Sequence, residues 1–226
     1  MTNKLIVIEG GDGAGKETQA KLALAALEKR RQTGYFDFPR YKESLAGALV
    51  GESLKGMYGS FRHMHPKFAS LPYMLDRVGA REKLREALER SHVICNRYVP
   101  SNMYQAAKFA NEAEQDEFIA WFEKLEYEEL ELPQPYYVFY LHVPLDFSRA
   151  LMEQKTQGRE YLGGAKGAKD QHEADDDYQR NVIELYKRMC RQRSSWISIE
   201  CVKNGELRSR EDIHENIMHF LEPISS

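Results

Sequence analysis

The chain has 226 residues, 32 basic and 35 acidic, for a net charge of −3. That length suits one sizeable domain or two small ones, and the balanced charge gives no sign of nucleic-acid binding or of an acidic, disordered tail. No signal peptide fits the N-terminus, and no apolar run nears the ~18 residues that cross a membrane, so a soluble cytoplasmic protein is expected.

The first strand-like run, Lys4–Glu9, leads into a glycine turn. Gly10, Gly15 and Lys16 stand at the G-x-x-x-x-G-K spacing of a phosphate loop, so Gly10, Gly11, Asp12, Gly13, Ala14, Gly15, Lys16, Glu17 and Thr18 form the candidate anion site. Such a loop lets backbone N–H groups converge on phosphate oxygens, with the helix dipole and the lysine adding positive charge. A purely structural glycine turn would leave Lys16 unexplained, because a cation at a helix start opposes the dipole. Glu17 stands where a magnesium-binding hydroxyl is expected, with Thr18 next. Either Glu17 meets the metal or its hydration shell, or it turns to solvent.

The Ala/Leu-rich segment from Thr18 to Arg31 predicts a helix, and Tyr35–Phe38 a second strand. Phe38-Pro39-Arg40-Tyr41 follows at the strand end and can line a nucleotide pocket; the plain alternative is a turn with a core phenylalanine. Ala69 to Arg90 reads as one long helix with Pro72 near its start. Tyr73 and Arg77, four apart, share a face that offers a ring to stack on a base and a guanidinium for an oxyanion. The alternative is an Asp76–Arg77 surface pair beside a core tyrosine.

A third strand, His92–Asn96, ends in Asn96-Arg97-Tyr98-Val99-Pro100-Ser101-Asn102, which puts Arg97 at the mouth of a cleft and Asn102 where it can reach a base edge. One helix is expected from Asn102 to Leu130, stopped by Pro133 and Pro135, then a strand over Tyr136–Val143. Gly158 to Gly167 holds four glycines. With Lys155, Arg159, Lys166 and Lys169 it reads as a mobile surface loop or as a lid that closes over phosphates. Asp170-Gln171-His172-Glu173 follows and could be no more than a polar helix start. A helix over Asp175–Arg193 and a strand over Trp196–Val202 complete the order. Cys95 and Cys201 fall in strand-like runs, so buried free thiols are expected there. Strands alternating with helical crossovers imply an α/β fold with a parallel sheet, whose ligands sit at the carboxyl ends of the strands.

Together these motifs resemble the thymidylate kinase family of P-loop nucleoside monophosphate kinases. The resemblance covers most of the chain. It rests on E-G-x-D-G-x-G-K at Glu9–Lys16, F-P-R-Y at Phe38–Tyr41, L-D-R at Leu75–Arg77, R-Y-x-x-S-N at Arg97–Asn102, L-P-x-P at Leu132–Pro135 and the Asp/His/Glu segment that includes His172 and Glu173. It implies a single three-layer domain, residues 1–226, with a five-stranded parallel sheet flanked by helices, a short lid near 155–172, and a homodimer. The implied reaction moves the ATP γ-phosphoryl group to dTMP with magnesium, giving dTDP and ADP.

By the same resemblance the phosphate loop binds ATP, and Glu17 or Thr18 serves the metal. Tyr73 stacks on thymine, Arg77 and Asn102 contact the base, and Arg97 holds the acceptor phosphate. Asp12 lies near the acceptor's sugar and phosphate. Phe38, Arg40 and Tyr41 line the acceptor pocket, and Ser101, His172 and Glu173 join the substrate-binding set. Lys16, Arg97 and Arg159 are the catalytic cations; Arg159 is the lid's contribution, because Gly13 stands where one branch of the family carries a loop arginine. The chain departs from the family pattern at Asn96, where an aspartate is usual, at Glu17, and in the spacing from Asn102 to Tyr104, one residue short. The rival readings are a deoxynucleoside kinase, another nucleoside monophosphate kinase, or a nucleotide-binding protein without turnover.

Overall fold

The computed structural model describes residues 3–59, 63–154 and 176–224. Five strands form one sheet: β1 (Leu5–Gly10), β2 (Thr33–Asp37), β3 (His92–Asn96), β4 (Tyr137–His142) and β5 (Trp196–Glu200). Their order is β2-β3-β1-β4-β5 and every pairing is parallel. Each expected strand is present to within two residues at either end. All six residues of β1 are buried, as a central strand covered on both faces requires.

Alternation along β1 divides the core into two layers. Leu5 and Val7 face one cluster, with Val93, Tyr140 and residues of α3 (Pro66–Arg90), α5 (Glu112–Glu123) and α7 (Asp176–Gln192). Ile6 and Ile8 face the other, with Ala20, Ala23 and Leu27 of α1 (Lys16–Glu28) and Ile213, Ile217 and Leu221 of α8 (Arg210–Leu221). The result is three layers, helix–sheet–helix. Cys95 and Cys201 are buried free thiols, as expected, and Cys190 is half-buried and free.

The helical expectations needed more correction than the strands. The single helix from Asn102 to Leu130 is replaced by a short turn over Val99–Asn102, α4 (Met103–Ala106), α5, and a widened π-type turn over Lys124–Glu129. The chain restarts at Asn111, whose side chain accepts from the Glu114 amide and caps α5. α3 begins at Pro66 and contains Pro72. Three helices were not read from the sequence: α2 (Leu45–Leu54), α6 (Leu145–Gln154) and α8. A hairpin of β6 (Val202–Lys203) and β7 (Glu206–Leu207) also went unread, although Asn204 and Gly205, both at positive φ, are the residue pair that such turns favour. No described helix is long and apolar enough to cross a membrane.

Candidate active site

The phosphate loop leaves the carboxyl end of β1, the middle strand. Its glycines are there for steric reasons. A Cβ on Gly10 would lie 2.9 Å from the Leu141 carbonyl oxygen, and Gly13 and Gly15 both sit at φ 81°. Gly15 caps α1 with no side-chain bond, so the first amides of that helix are left for an anion. The Lys16 ammonium donates to the carbonyls of Gly10 (3.0 Å) and Gly11 (2.7 Å) and is nearly buried. Those contacts hold the cation over the loop where polyphosphate would lie. Glu17 turns outward and pairs with Lys21 at 2.5 Å, while Thr18 is half-buried on the first turn of α1.

A cleft opens beside this loop, at the carboxyl ends of the strands. Asp12, Phe38, Tyr41, Tyr73, Arg77, Arg97, Ser101 and Asn102 all line it, so the structure brings together residues from four separated segments. Arg97 adopts φ 62°, and its Nη2 donates to Asp12 Oδ1 at 2.6 Å. Arg97 therefore touches the phosphate loop directly. Despite burial, Asp12 first, then the nearby Tyr104 and Glu9, hold the Arg97 guanidinium well above its ordinary pKa, so it stays charged.

Glu9 ties the two segments from beneath. It is fully buried and accepts from the Tyr98 amide (3.0 Å), the Ser101 hydroxyl (2.7 Å) and the Tyr186 hydroxyl (3.1 Å). Burial raises its pKa, against the pull of Arg97, the Ser101 hydroxyl and Lys16. Tyr104, which could not be placed from spacing, lines the cleft with its ring 5.5 Å from the Arg97 guanidinium.

On α3, Tyr73 and Arg77 share the face toward the cleft, as their spacing predicts. The Asp76–Arg77 surface pair does not exist. Asp76 is buried and accepts from the Arg40 amide (2.8 Å), Arg40 Nε (3.0 Å) and the Ser44 hydroxyl (2.5 Å). Arg40 is thereby turned onto Asp76 and is not among the residues that line the cleft; its place in F-P-R-Y serves to fix the loop. Gly47 completes this contact, since a Cβ there would lie 2.2 Å from the Arg40 carbonyl oxygen.

Arg77 is paired instead with Glu126, 49 residues away, through Nε (2.6 Å) and Nη2 (2.7 Å). Glu126 sits on the π-type turn and was not foreseen; the only sequence signal was an acidic residue amid the aromatics of a helix.

Asn96 ends β3 with its Nδ2 bonded to Asp37 Oδ1 at 2.9 Å, and its own Oδ1 is buried with no partner among the described residues. A carboxylate, Asp37, thus sits beside Asn96 on the neighbouring strand. The lid near 155–172, with Lys155, Arg159, Lys166 and Lys169, lies outside the described residues, as do His172 and Glu173.

Comparison with known proteins agrees with this geometry. The family model for thymidylate kinase matches residues 8–216. A thymidylate kinase of Mycobacterium tuberculosis is 33% identical over 191 residues, covering 83% of this chain and 86% of the relative. A probable thymidylate kinase of Methanocaldococcus jannaschii is 32% identical over 113 residues, covering 50% of this chain and 55% of that one. Among solved structures, a thymidylate kinase from Candida albicans superposes with a TM-score of 0.73 at 18% identity, covering 98% of this chain and 92% of that one. At that identity the superposition speaks for the fold alone, while the sequence match and the joined motifs speak for the lineage. The chain belongs to the thymidylate kinase family.

Proposed function

We propose that the protein transfers the γ-phosphoryl group of ATP to dTMP, giving dTDP and ADP. The observation that carries this reading is the contact between Arg97 and Asp12, which sets an acceptor-side cation against the loop that cradles the donor. An acceptor phosphate is already an anion, so alignment and charge neutralisation do most of the work and no strong base is needed. Lys16 holds the donor phosphates, Arg97 the acceptor phosphate, and Tyr73 the base. Arg159 is the candidate cation for the transferring group, and the single-turnover rate of Arg159→Ala tests that role: a wild-type rate would remove it.

Magnesium fits this site as an ion carried in with the nucleotide. The described residues contain no group of three or more His, Cys, Asp or Glu arranged to hold a metal. The half-buried Thr18 hydroxyl on the first turn of α1 and the Asp12 carboxylate at the cleft are oxygen donors that suit a hard cation. Thr18 is the residue to ligate it, while Glu17 is engaged with Lys21. When bound, magnesium neutralises charge between the β- and γ-phosphates.

The homodimer reading draws on an unpaired apolar stripe. Phe68, Leu71 and Leu75 lie three and four apart on α3 and are 65%, 39% and 58% exposed. A cytoplasmic enzyme suits these soluble substrates. For a hydroxyl acceptor, as in a deoxynucleoside kinase, a carboxylate base at the end of the second strand should point into the cleft. Asp37, at the end of β2, is bonded to Asn96 and does not line it. A coupled ADP-release assay with dTMP and thymidine tests the proposal. Turnover with dTMP alone supports it, and turnover with thymidine alone overturns it.

A further inference from the structure

Three groups beneath the base end of the cleft form a closed set. Glu126 is fully buried; Arg77 and Asn102 are each 2% exposed. Glu126 Oε2 takes Arg77 Nε (2.6 Å), and Oε1 takes both Arg77 Nη2 (2.7 Å) and Asn102 Nδ2 (2.5 Å). Arg77 Nη2 also approaches Asn102 Oδ1 at 3.4 Å. The turn that carries Glu126 is π-type, a local widening that tends to occur at functional sites.

The polarity of this set follows chiefly from Glu126, whose contact with Asn102 Nδ2 is short, while the approach of Arg77 to Asn102 Oδ1 is long. An ionised carboxylate only accepts, so the Asn102 amide must face it with Nδ2, and Oδ1 must face the guanidinium. Two of the three Arg77 nitrogens are spent on Glu126. Nη1 has no partner among the described residues, and it is not one of the buried, unsatisfied atoms. Arg77 can only donate, and Asn102 Oδ1 accepts and keeps a lone pair. A donor beside an acceptor complements a ring carbonyl beside a ring N–H, the edge of thymine or uracil. It opposes an exocyclic amine beside an unprotonated ring nitrogen, the edge of cytosine.

We propose that Glu126 is a positioning residue that sets which nucleobase the cleft accepts, by locking the Arg77 guanidinium and the Asn102 amide in one polarity. The inference rests on the proposed phosphorylation of a pyrimidine monophosphate and adds the residue that imposes base choice. Without an acceptor-only group at this position, only the long approach of Arg77 Nη2 holds the Asn102 amide in its polarity, and Arg77 loses part of its fork. The cleft then distinguishes the two edges less sharply. Sites built to hydrogen-bond one edge reject the wrong one strongly because buried polar groups are left unpaired, and that rejection is what Glu126 maintains.

The test compares kcat/KM for dTMP and dCMP in wild type, Glu126→Gln and Glu126→Asp, with the KM for ATP and the melting temperature as controls on the fold. Gln keeps the shape but puts an amine either at the Oε1 place, against Asn102 Nδ2, or at the Oε2 place, against Arg77 Nε. In both cases the group is no longer acceptor-only, so it can turn over together with Asn102. Glu126→Gln should lower kcat/KM for dTMP about tenfold to a hundredfold and lower the dTMP-to-dCMP ratio by a similar factor. Glu126→Asp keeps an acceptor-only group at shorter reach, so it should lose rate but keep the preference. If Glu126→Gln folds and both substrates fall together with the ratio unchanged, Glu126 is merely structural and the proposal is overturned. If Glu126→Gln does not fold, the Asp variant decides: a kept preference supports the proposal and a lost one overturns it. Wild type that turns over neither nucleotide would instead remove the functional reading beneath it.

Discussion

Asp76→Asn isolates the contact that holds the Phe38–Tyr41 loop in the cleft. The substitution keeps the shape of the side chain and exchanges one acceptor oxygen for an amine. If the amine takes the Oδ1 place, it opposes Arg40 Nε and ends that ionic contact at 3.0 Å, while the Ser44 hydroxyl must reverse to accept from it. If it takes the Oδ2 place, it faces only the Arg40 amide, at 2.8 Å. The second arrangement is the cheaper, so the cost is that of one charge-assisted bond, about 1.5–3 kcal/mol. Arg40 Nη2 keeps its bond to the Asp76 carbonyl at 2.6 Å, which limits the damage to that range. In a chain of this size, 2 kcal/mol lowers the melting temperature by roughly 4–8 °C. Because the loop lines the acceptor cleft and not the phosphate loop, KM for dTMP should rise while KM for ATP stays near wild type. Steady-state kinetics with each substrate varied in turn, beside a thermal melt, reads both effects. A melt that falls while both KM values hold would show that the clamp stabilises the fold without shaping the acceptor site.

Two cation deletions should separate the halves of the site. Lys16→Ala should reduce turnover on the order of 10³ or more, whereas Arg97→Ala should weaken dTMP binding about tenfold to over a hundredfold and ATP binding little. Calorimetry showing equal loss of both nucleotides in Arg97→Ala would contradict the assignment. Burial pushes the Cys190 and Cys201 thiols up to about 12, and Cys95 is fully buried, so the native protein should resist alkylation by iodoacetamide at pH 8 and react fully once denatured. Rapid native labelling would show that these thiols are more open than the fold implies. Glu9 adds a pH dependence, because burial raises its folded pKa above the ordinary 4.5 despite Arg97, Ser101 and Lys16. The folded state then binds more protons than the unfolded one just above that value, so this contribution to stability is lost as pH rises through the folded pKa. Denaturant titrations of Glu9→Gln should show a flatter dependence across that window, and an unchanged slope would mean that other groups set it.

The strands and the phosphate loop were legible because both are local. Apolar runs mark the strands, and the motif is read within eight residues, Glu9 to Lys16. The shared face of Tyr73 and Arg77 followed from helical period alone. The partners of Asp76 and Arg77 were not legible, since Arg40 lies 36 residues from Asp76 and Glu126 lies 49 from Arg77. No local rule chooses among the many arginines and carboxylates of this chain. The π-type turn defeats periodicity directly, because widening the helix moves Glu126 off the face that a regular count would give it. Two omissions were avoidable. Ser209, which caps α8 through the Asp212 amide, together with the spacing of Ile213, Ile217 and Leu221, marks that helix, and Asn204-Gly205 marks the hairpin.

The most direct test of the account is ³¹P NMR of the purified protein with ATP, magnesium and dTMP. The account predicts that the dTMP resonance gives way to the two phosphorus signals of dTDP, in step with the conversion of ATP to ADP. Release of ADP and inorganic phosphate with dTMP unchanged would contradict it.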